Sequence, residues 1–351
     1  MTKTRPLAWH YRINRQRVST GLLMIAGLLI AGCSGTPVNM LDARGPAAAS
    51  IAELWWVMFI LGAAVFLLVV GIVLAIVLKR RSQADTDTGL QRPDGRDTRW
   101  IMIGGIVMPL IVLAVVFGFT MRSMAGLSSD EGELTIEVIG RRWWWEVNYR
   151  DLGITTANQI HIPVGVPVDI VLQSGDVIHS FWVPQLHGKM DAIPGRVNRL
   201  QIQADEAGEY RGECGEFCGI QHTHMGFVVV AQSAEAFDSW VASEQQPAAQ
   251  PDDLLAVRGQ EVFASAGCVY CHTIRGVDFS SIDASAVDLG PDLTHFASRL
   301  TLGAGILPNN RGNLSGWIAN PQHIKPGVLM PASALSGDDL QALLAYLETL
   351  H

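Results

Sequence analysis

Charge is scarce in this 351-residue chain: Asp, Glu, Lys and Arg make up 17% of it, against ~25% in a typical soluble domain. Apolar residues reach 49%, and 35 glycines lift the apolar tally above the usual ~45–50%. A disordered chain is excluded, and a purely soluble one fits poorly. Positive charge is scarcer still, with 25 Lys and Arg against 33 Asp and Glu and a net charge of −8. The basic footprint of a nucleic-acid binder is missing. Cysteine is limited to Cys33, Cys214, Cys218, Cys268 and Cys271. An odd total with two tight pairs is not a disulfide framework, and C-x3-C and C-x2-C spacings suit metal or cofactor chemistry. At about 150 residues per domain, the length suggests two domains plus extras.

Two runs lack charge altogether. Leu54–Leu78 and Trp100–Met121 are 25 and 22 residues long, reaching roughly 37 and 33 Å as helices, enough to cross a bilayer with some tilt. Segment 79–99 carries Lys79, Arg80, Arg81, Arg92, Arg96 and Arg99 against Asp85, Asp87, Asp94 and Asp97. The positive-inside rule makes it cytoplasmic. The prediction is a two-helix transmembrane hairpin with segment 33–53 and everything after Met121 on the outer, periplasmic face. Neither span holds His, Asp, Glu, Lys or Arg, so this chain supplies no haem site or proton relay within the bilayer. Ahead of the hairpin, Lys3, Arg5, Arg12, Arg15 and Arg17 precede the apolar run Gly21–Ala31, the layout of a signal peptide over residues 1–32. Ile30-Ala31-Gly32-Cys33 resembles a bacterial lipobox, which makes Cys33 the lipidation site. The alternatives are a signal cut elsewhere, or an uncleaved apolar helix with a free thiol.

Over residues 127–243 the period becomes two. Leu134, Ile136 and Val138 alternate with Thr135, Glu137 and Ile139, and 166–172 and 226–230 read as further strands. Short strands between Gly, Pro, Asn and Asp clusters predict an all-β sandwich. Before its last strand stands Cys214-Gly-Glu-Phe-Cys218-Gly-Ile-Gln-His222-Thr-His-Met225. Thiolates, imidazole and thioether together select copper. Zinc on two Cys and two His, or a Cys214–Cys218 disulfide, are the alternatives. A second imidazole is expected from His179. His161, His187 and His224 compete, each more simply a surface or satisfied core histidine.

Residues 244–252 are polar and proline-interrupted, a linker, and residues 253–351 return to a helical period. Cys268-Val-Tyr-Cys271-His272 is the C-x-x-C-H attachment motif of haem c, with His272 beneath the iron. Met330, the only methionine after Met225, is the expected second axial ligand; His295 and His323 are its rivals. Ser336, as N-cap three residues before Asp339, opens an amphipathic terminal helix with Leu340, Leu343, Leu344, Leu347 and Leu350 on one face.

Cys214-x-Glu-x-Cys218-x3-His222-x2-Met225, His179-Ser-Phe-Trp, Lys189–Arg196 and Arg142-Trp-Trp-Trp145 together resemble subunit II of haem–copper cytochrome c oxidase, from about residue 45 to 242. Segments 290–293 and 320–331 resemble the class I cytochrome c domain fused to it in caa3-type oxidases. The resemblance implies a multidomain membrane protein: transmembrane hairpin, all-β cupredoxin (Greek-key sandwich) domain and all-α cytochrome c domain. It implies a binuclear copper A centre bridged by Cys214 and Cys218. His179 and Met225 complete one copper, His222 and the Glu216 carbonyl the other. It also implies a magnesium on the Glu216 side chain at the interface with subunit I, and Trp143 as the residue where electrons enter. Partners implied are subunit I, with haem a and the oxygen-reducing site, subunit III, and reduced cytochrome c or the cytochrome bc1 complex as donor. Electrons would pass from haem c to copper A and on to a proton-pumping subunit I in a bacterial inner membrane. Many relatives place a proton-path glutamate near 97–100, where this chain has only Asp94 and Asp97. The rival reading is a stand-alone membrane-tethered electron carrier.

Overall fold

The computed structural model describes residues 38–82, 95–127, 132–278 and 289–351. The expected signal segment 1–32, Cys33, and Asp85, Asp87 and Asp94 of segment 79–99 lie outside the described residues.

Helix α1 (Pro46–Ser82) extends past the charge-free run at both ends. The second run is helix α2 (Gly95–Met102), a π-helical turn (Ile103–Val107) holding the Gly104-Gly105 pair, and helix α3 (Met108–Leu127). Ser50 Oγ and Ser123 Oγ hydrogen-bond at 2.7 Å, tying the start of α1 to the end of α3. Elsewhere these helices expose Phe66, Leu67, Leu113 and Phe117, each more than 60% accessible. So large an apolar surface is not tolerated by water but is matched by lipid, where a helix satisfies its own backbone. Both helices are long and apolar enough to cross a membrane.

The next domain is a sandwich of two five-stranded sheets. One has the order β3 (Ile154–Ala157), β2 (Trp144–Tyr149), β1 (Leu134–Arg141), β5 (Val168–Ser174), β8 (Asn198–Ile202). The other has β4 (Gln159–Pro163), β10 (Gly226–Gln232), β9 (Gly208–Cys214), β6 (His179–Trp182), β7 (Met190–Ala192). The pairs β1–β5 and β4–β10 are parallel, with the crossovers of a cupredoxin-like fold. Inward alternation on β2 buries Trp145, Val147 and Tyr149 completely. Phe181 and Phe227 stack at 4.6 Å between the sheets. Helix α4 (Ala234–Glu244), capped by Ser233, closes one end by laying Trp240 flat on His161, centroids 4.3 Å apart.

The last domain is helical. Helix α5 (Leu254–Ser265), capped by Asp253, crosses the terminal helix α8 (Gly337–Leu347), capped by Ser336. They meet at Gly259, where a Cβ would stand 2.0 Å from the Ala342 carbonyl oxygen; only glycine allows that approach. Between them lie a small hairpin, β11 (Thr301–Leu302) and β12 (Leu307–Pro308), and helices α6 (Arg311–Ala319) and α7 (Pro321–Ile324). The linker is packed rather than free. Ala248 is buried in the helical core and its N–H donates to the Arg275 carbonyl at 2.9 Å, while His295 Nε2 lies 3.1 Å from the Gln246 carbonyl.

Candidate metal centre and cofactor cleft

Cys214 ends strand β9, and the turn after it returns Cys218 to the same place. Their sulfurs are 3.8 Å apart and both side chains are buried. His179, at the start of the neighbouring strand β6, points Nδ1 at Cys214 Sγ from 4.0 Å. The ligand atoms of His179, Cys214 and Cys218 all lie within 4.8 Å of one another. On the other side of Cys218, His222 Nδ1 is 3.7 Å and Met225 Sδ 3.8 Å from its sulfur. The Glu216 carbonyl oxygen stands 3.3 Å from Cys214 Sγ. All six residues named for the centre therefore converge. The neighbouring Cys218 thiol pushes Cys214 toward thiolate. A soft, proton-poor donor set of this kind fits copper.

One participant was missed in the sequence. Asp176 Oδ1 holds His179 Nε2 at 2.8 Å and accepts from the Val177 N–H (2.6 Å), while Oδ2 accepts from the Arg142 N–H (2.7 Å). Burial works against its charge, but the bonds to His179, Val177 and Arg142 bring its carboxyl down to about 2. The carboxylate sets the imidazole's orientation and leaves Nδ1 for a metal. Its signal in the sequence is a carboxylate three residues before the histidine. The competitors lie elsewhere: His161 contacts Gln159 at 2.7 Å, His187 its neighbour's carbonyl at 3.0 Å, and His224 the side chain of Gln221 at 2.7 Å. The Glu216 carboxylate turns outward, 3.4 Å from Lys189 Nζ.

Of the tryptophan run, Trp144 and Trp145 take opposite faces of β2, and Trp143 stands in the turn before it. Trp145 is fully buried, and Trp144 lies on the opposite side with Arg141 over its ring at 5.9 Å. Trp143 is 9% exposed and donates from Nε1 to the Cys218 carbonyl at 2.9 Å.

In the helical domain, Cys268, Cys271 and His272 line a cavity of about 260 Å³ together with Phe263, Leu293, Trp317 and Met330. His272 Nδ1 is 2.8 Å from the Pro291 carbonyl, which leaves Nε2 for iron. Gly290 passes so close to this ring that a Cβ would meet Cε1 at 2.7 Å. Arg299, also lining the cavity, has a buried Nε with no partner, which an acidic group of a bound haem would satisfy. The cleft therefore fits haem. Met330 is presented by a loop that Gln322 braces, donating to the carbonyls of Val328 (2.7 Å) and Met330 (2.9 Å) and accepting from Gly327 N–H (2.8 Å). Of its rivals, His295 has both ring nitrogens against carbonyls of residues 351 and 246, and neither it nor His323 lines the cavity. Arg142, Trp143 and Trp144 of the sandwich form part of the same cavity wall.

Comparison with known proteins agrees with this anatomy. Residues 153–232 match the family described as cytochrome c oxidase subunit II, periplasmic domain, and residues 256–351 match cytochrome c. The first implies a copper A centre and the second a haem c. Cytochrome c oxidase subunit 2 of Alkalihalophilus pseudofirmus is 34% identical over 330 residues, 92% of this chain and 94% of the relative. The Bacillus subtilis protein of the same name is 30% identical over 351 residues, 94% and 96% of the two chains. The chain belongs to the cytochrome c oxidase subunit II family and carries a fused cytochrome c domain at its carboxyl end.

Proposed function

We propose that this chain is the electron-accepting subunit of a caa3-type, proton-pumping cytochrome c oxidase. It takes electrons one at a time from reduced cytochrome c or the cytochrome bc1 complex and hands them to haem a in subunit I, alongside subunit III. When bound, the haem and the copper pair supply two one-electron stations. The protein's part is to hold their ligands still and close together. Cys214, Cys218, His179, Met225, His222 and the Glu216 carbonyl would hold the copper pair, and strands β9 and β6 with the turn after Cys214 would limit their movement between oxidation states. Cys268 and Cys271 would anchor the haem, and His272 and Met330 would hold its iron.

The observation that carries the reading is the shared wall: the cleft of the helical domain opens directly onto Trp143, whose indole is bonded to the Cys218 backbone. Trp143 is then the residue through which electrons enter the copper domain, and at 9% exposure it is closed to a diffusing donor. Both redox domains belong on the periplasmic face, with Cys33 acylated. The outward Glu216 carboxylate suits a magnesium shared with subunit I, since a hard cation takes oxygen ligands. Purification through this chain tests the reading. A co-purifying haem a-containing subunit and oxygen uptake from reduced cytochrome c are expected. A chain that carries both cofactors but purifies alone would instead be a stand-alone carrier.

A further inference from the structure

Lys325 is one of four lysines in the chain, with Lys3, Lys79 and Lys189, and it is 2% exposed. A buried ammonium is costly unless its donors are satisfied, and no carboxylate pairs with it among the described residues. Its Nζ instead donates to two carbonyl oxygens in two domains: Trp143 of the sandwich at 2.7 Å and Gly303 of the haem-domain hairpin at 2.9 Å. Burial lowers the ammonium's pKa to about 7.

The contacts around Lys325 form a built junction. Gly226 N–H, next to Met225, donates to the Ala304 carbonyl at 2.9 Å. Leu300 N–H donates to Gln159 Oε1 at 2.9 Å, and Gln221 Nε2 to the Pro326 carbonyl at 2.7 Å. Val328 packs against the sandwich core. Gly305 meets Gly226 backbone to backbone, where a Cβ would stand 3.4 Å from the Gly226 carbonyl carbon. Within six residues, one loop thus carries Lys325 onto Trp143, Val328 into the copper domain and Met330 to the haem cleft.

We propose that Lys325 is a positioning residue that locks the haem domain onto Trp143 by bridging the Trp143 and Gly303 carbonyls. The lock fixes the Met330 loop relative to the copper ligands, and its role in electron delivery rests on the functional reading above. Without Lys325, two carbonyls at the junction lose their donor, and the haem domain is held only by its remaining contacts and the linker. Transfer then occurs only in the docked fraction of molecules.

Amine acylation of the full-length holoprotein, read by mass spectrometry, tests the lock without any electron transfer. Lys189, half exposed, should react freely, and Lys325 ~100-fold more slowly, because it reacts only when the junction opens. Gly305→Val, which drives a wedge between Gly305 and Gly226 outside either ligand set, should make Lys325 reactive. Lys325→Met should leave the haem and copper spectra unchanged and slow haem-to-copper transfer about tenfold as the docked fraction falls. If Lys325 is acylated as fast as Lys189 in the wild type, there is no lock. If Lys325→Met keeps both spectra and the wild-type rate, the positioning role is wrong. Should Lys325→Met fail to fold, the labelling of wild type and Gly305→Val decides alone. A wild type that shows protected Lys325 but no internal transfer overturns the functional reading and leaves the lock standing.

Discussion

The two redox sites are built on opposite plans. The proposed copper ligands are brought together by the sandwich itself, with the sulfur at the end of β9 and the sulfur in the turn after it 3.8 Å apart against the sandwich core. The haem ligands instead surround a cavity of about 260 Å³ at the centre of a small helical domain. There Phe263, Leu314, Leu343 and Leu347 belong both to the cavity wall and to the buried core of the domain. In the first domain the strands and turns bring the donor atoms into contact; in the second a packed core leaves a cleft that a haem would fill.

The sharpest way to break this contrast is Cys268→Ala with Cys271→Ala. Haem attachment is lost, the cleft stays unfilled, and electron delivery from the physiological donor should fall more than ~100-fold. The copper near-infrared band should persist, and amide exchange should rise in the helical domain but not in the sandwich. The reciprocal change, Cys214→Ser with Cys218→Ser, should abolish the copper spectrum yet leave a folded sandwich by circular dichroism and an unaltered haem spectrum. A collapsed sandwich would show that metal, not strand packing, brings the ligands together. Next in size is Asp176→Asn. It keeps every ligand but weakens the bond that orients His179, so copper affinity should drop ~10–100-fold, measured by chelator competition.

A further contrast separates the two domains by pH. Burial pulls His161 down to about 4, so the folded sandwich resists protonation that the unfolded chain accepts near 6.5. The unfolded state binds more protons below pH 6.5, so stability is full above that value and declines as pH falls toward 4. The decline amounts to roughly 3 kcal/mol at one pKa unit per 1.36 kcal/mol. His161→Gln should remove that slope from the sandwich's thermal unfolding and leave the haem domain's unchanged.

What the sequence disclosed follows the same division. Motifs whose parts lie close in the chain were legible: Cys214 to Met225 within one turn and strand, and Cys268 to His272 within one helical turn. The alternation at Leu134, Ile136 and Val138 gave the sandwich because a half-buried strand must alternate. His179 could be preferred over His161, His187 and His224, but only packing shows Nδ1 directed at Cys214. Lys325 was illegible because it acts on the Trp143 and Gly303 carbonyls, which the fold, not the chain order, brings near, and a lone basic residue looks the same anywhere on a surface. Asp176 left a signal, a carboxylate three residues before His179, but only the folded chain shows its Oδ1 on Nε2. Composition marks residues 244–252 as a linker but does not show its packing: Ala248 is buried, and Gln246 and Gln250 are hydrogen-bonded to the helical domain.

The central claim is that electrons pass from the haem domain to the copper domain within one molecule, across the junction at Trp143. Flash reduction of the haem in the full-length holoprotein, with copper reduction followed over a wide range of dilutions, tests it most directly. The account predicts a rate independent of protein concentration and little changed by ionic strength, because docking within the chain replaces electrostatic steering between molecules. A copper-reduction rate proportional to protein concentration would contradict it.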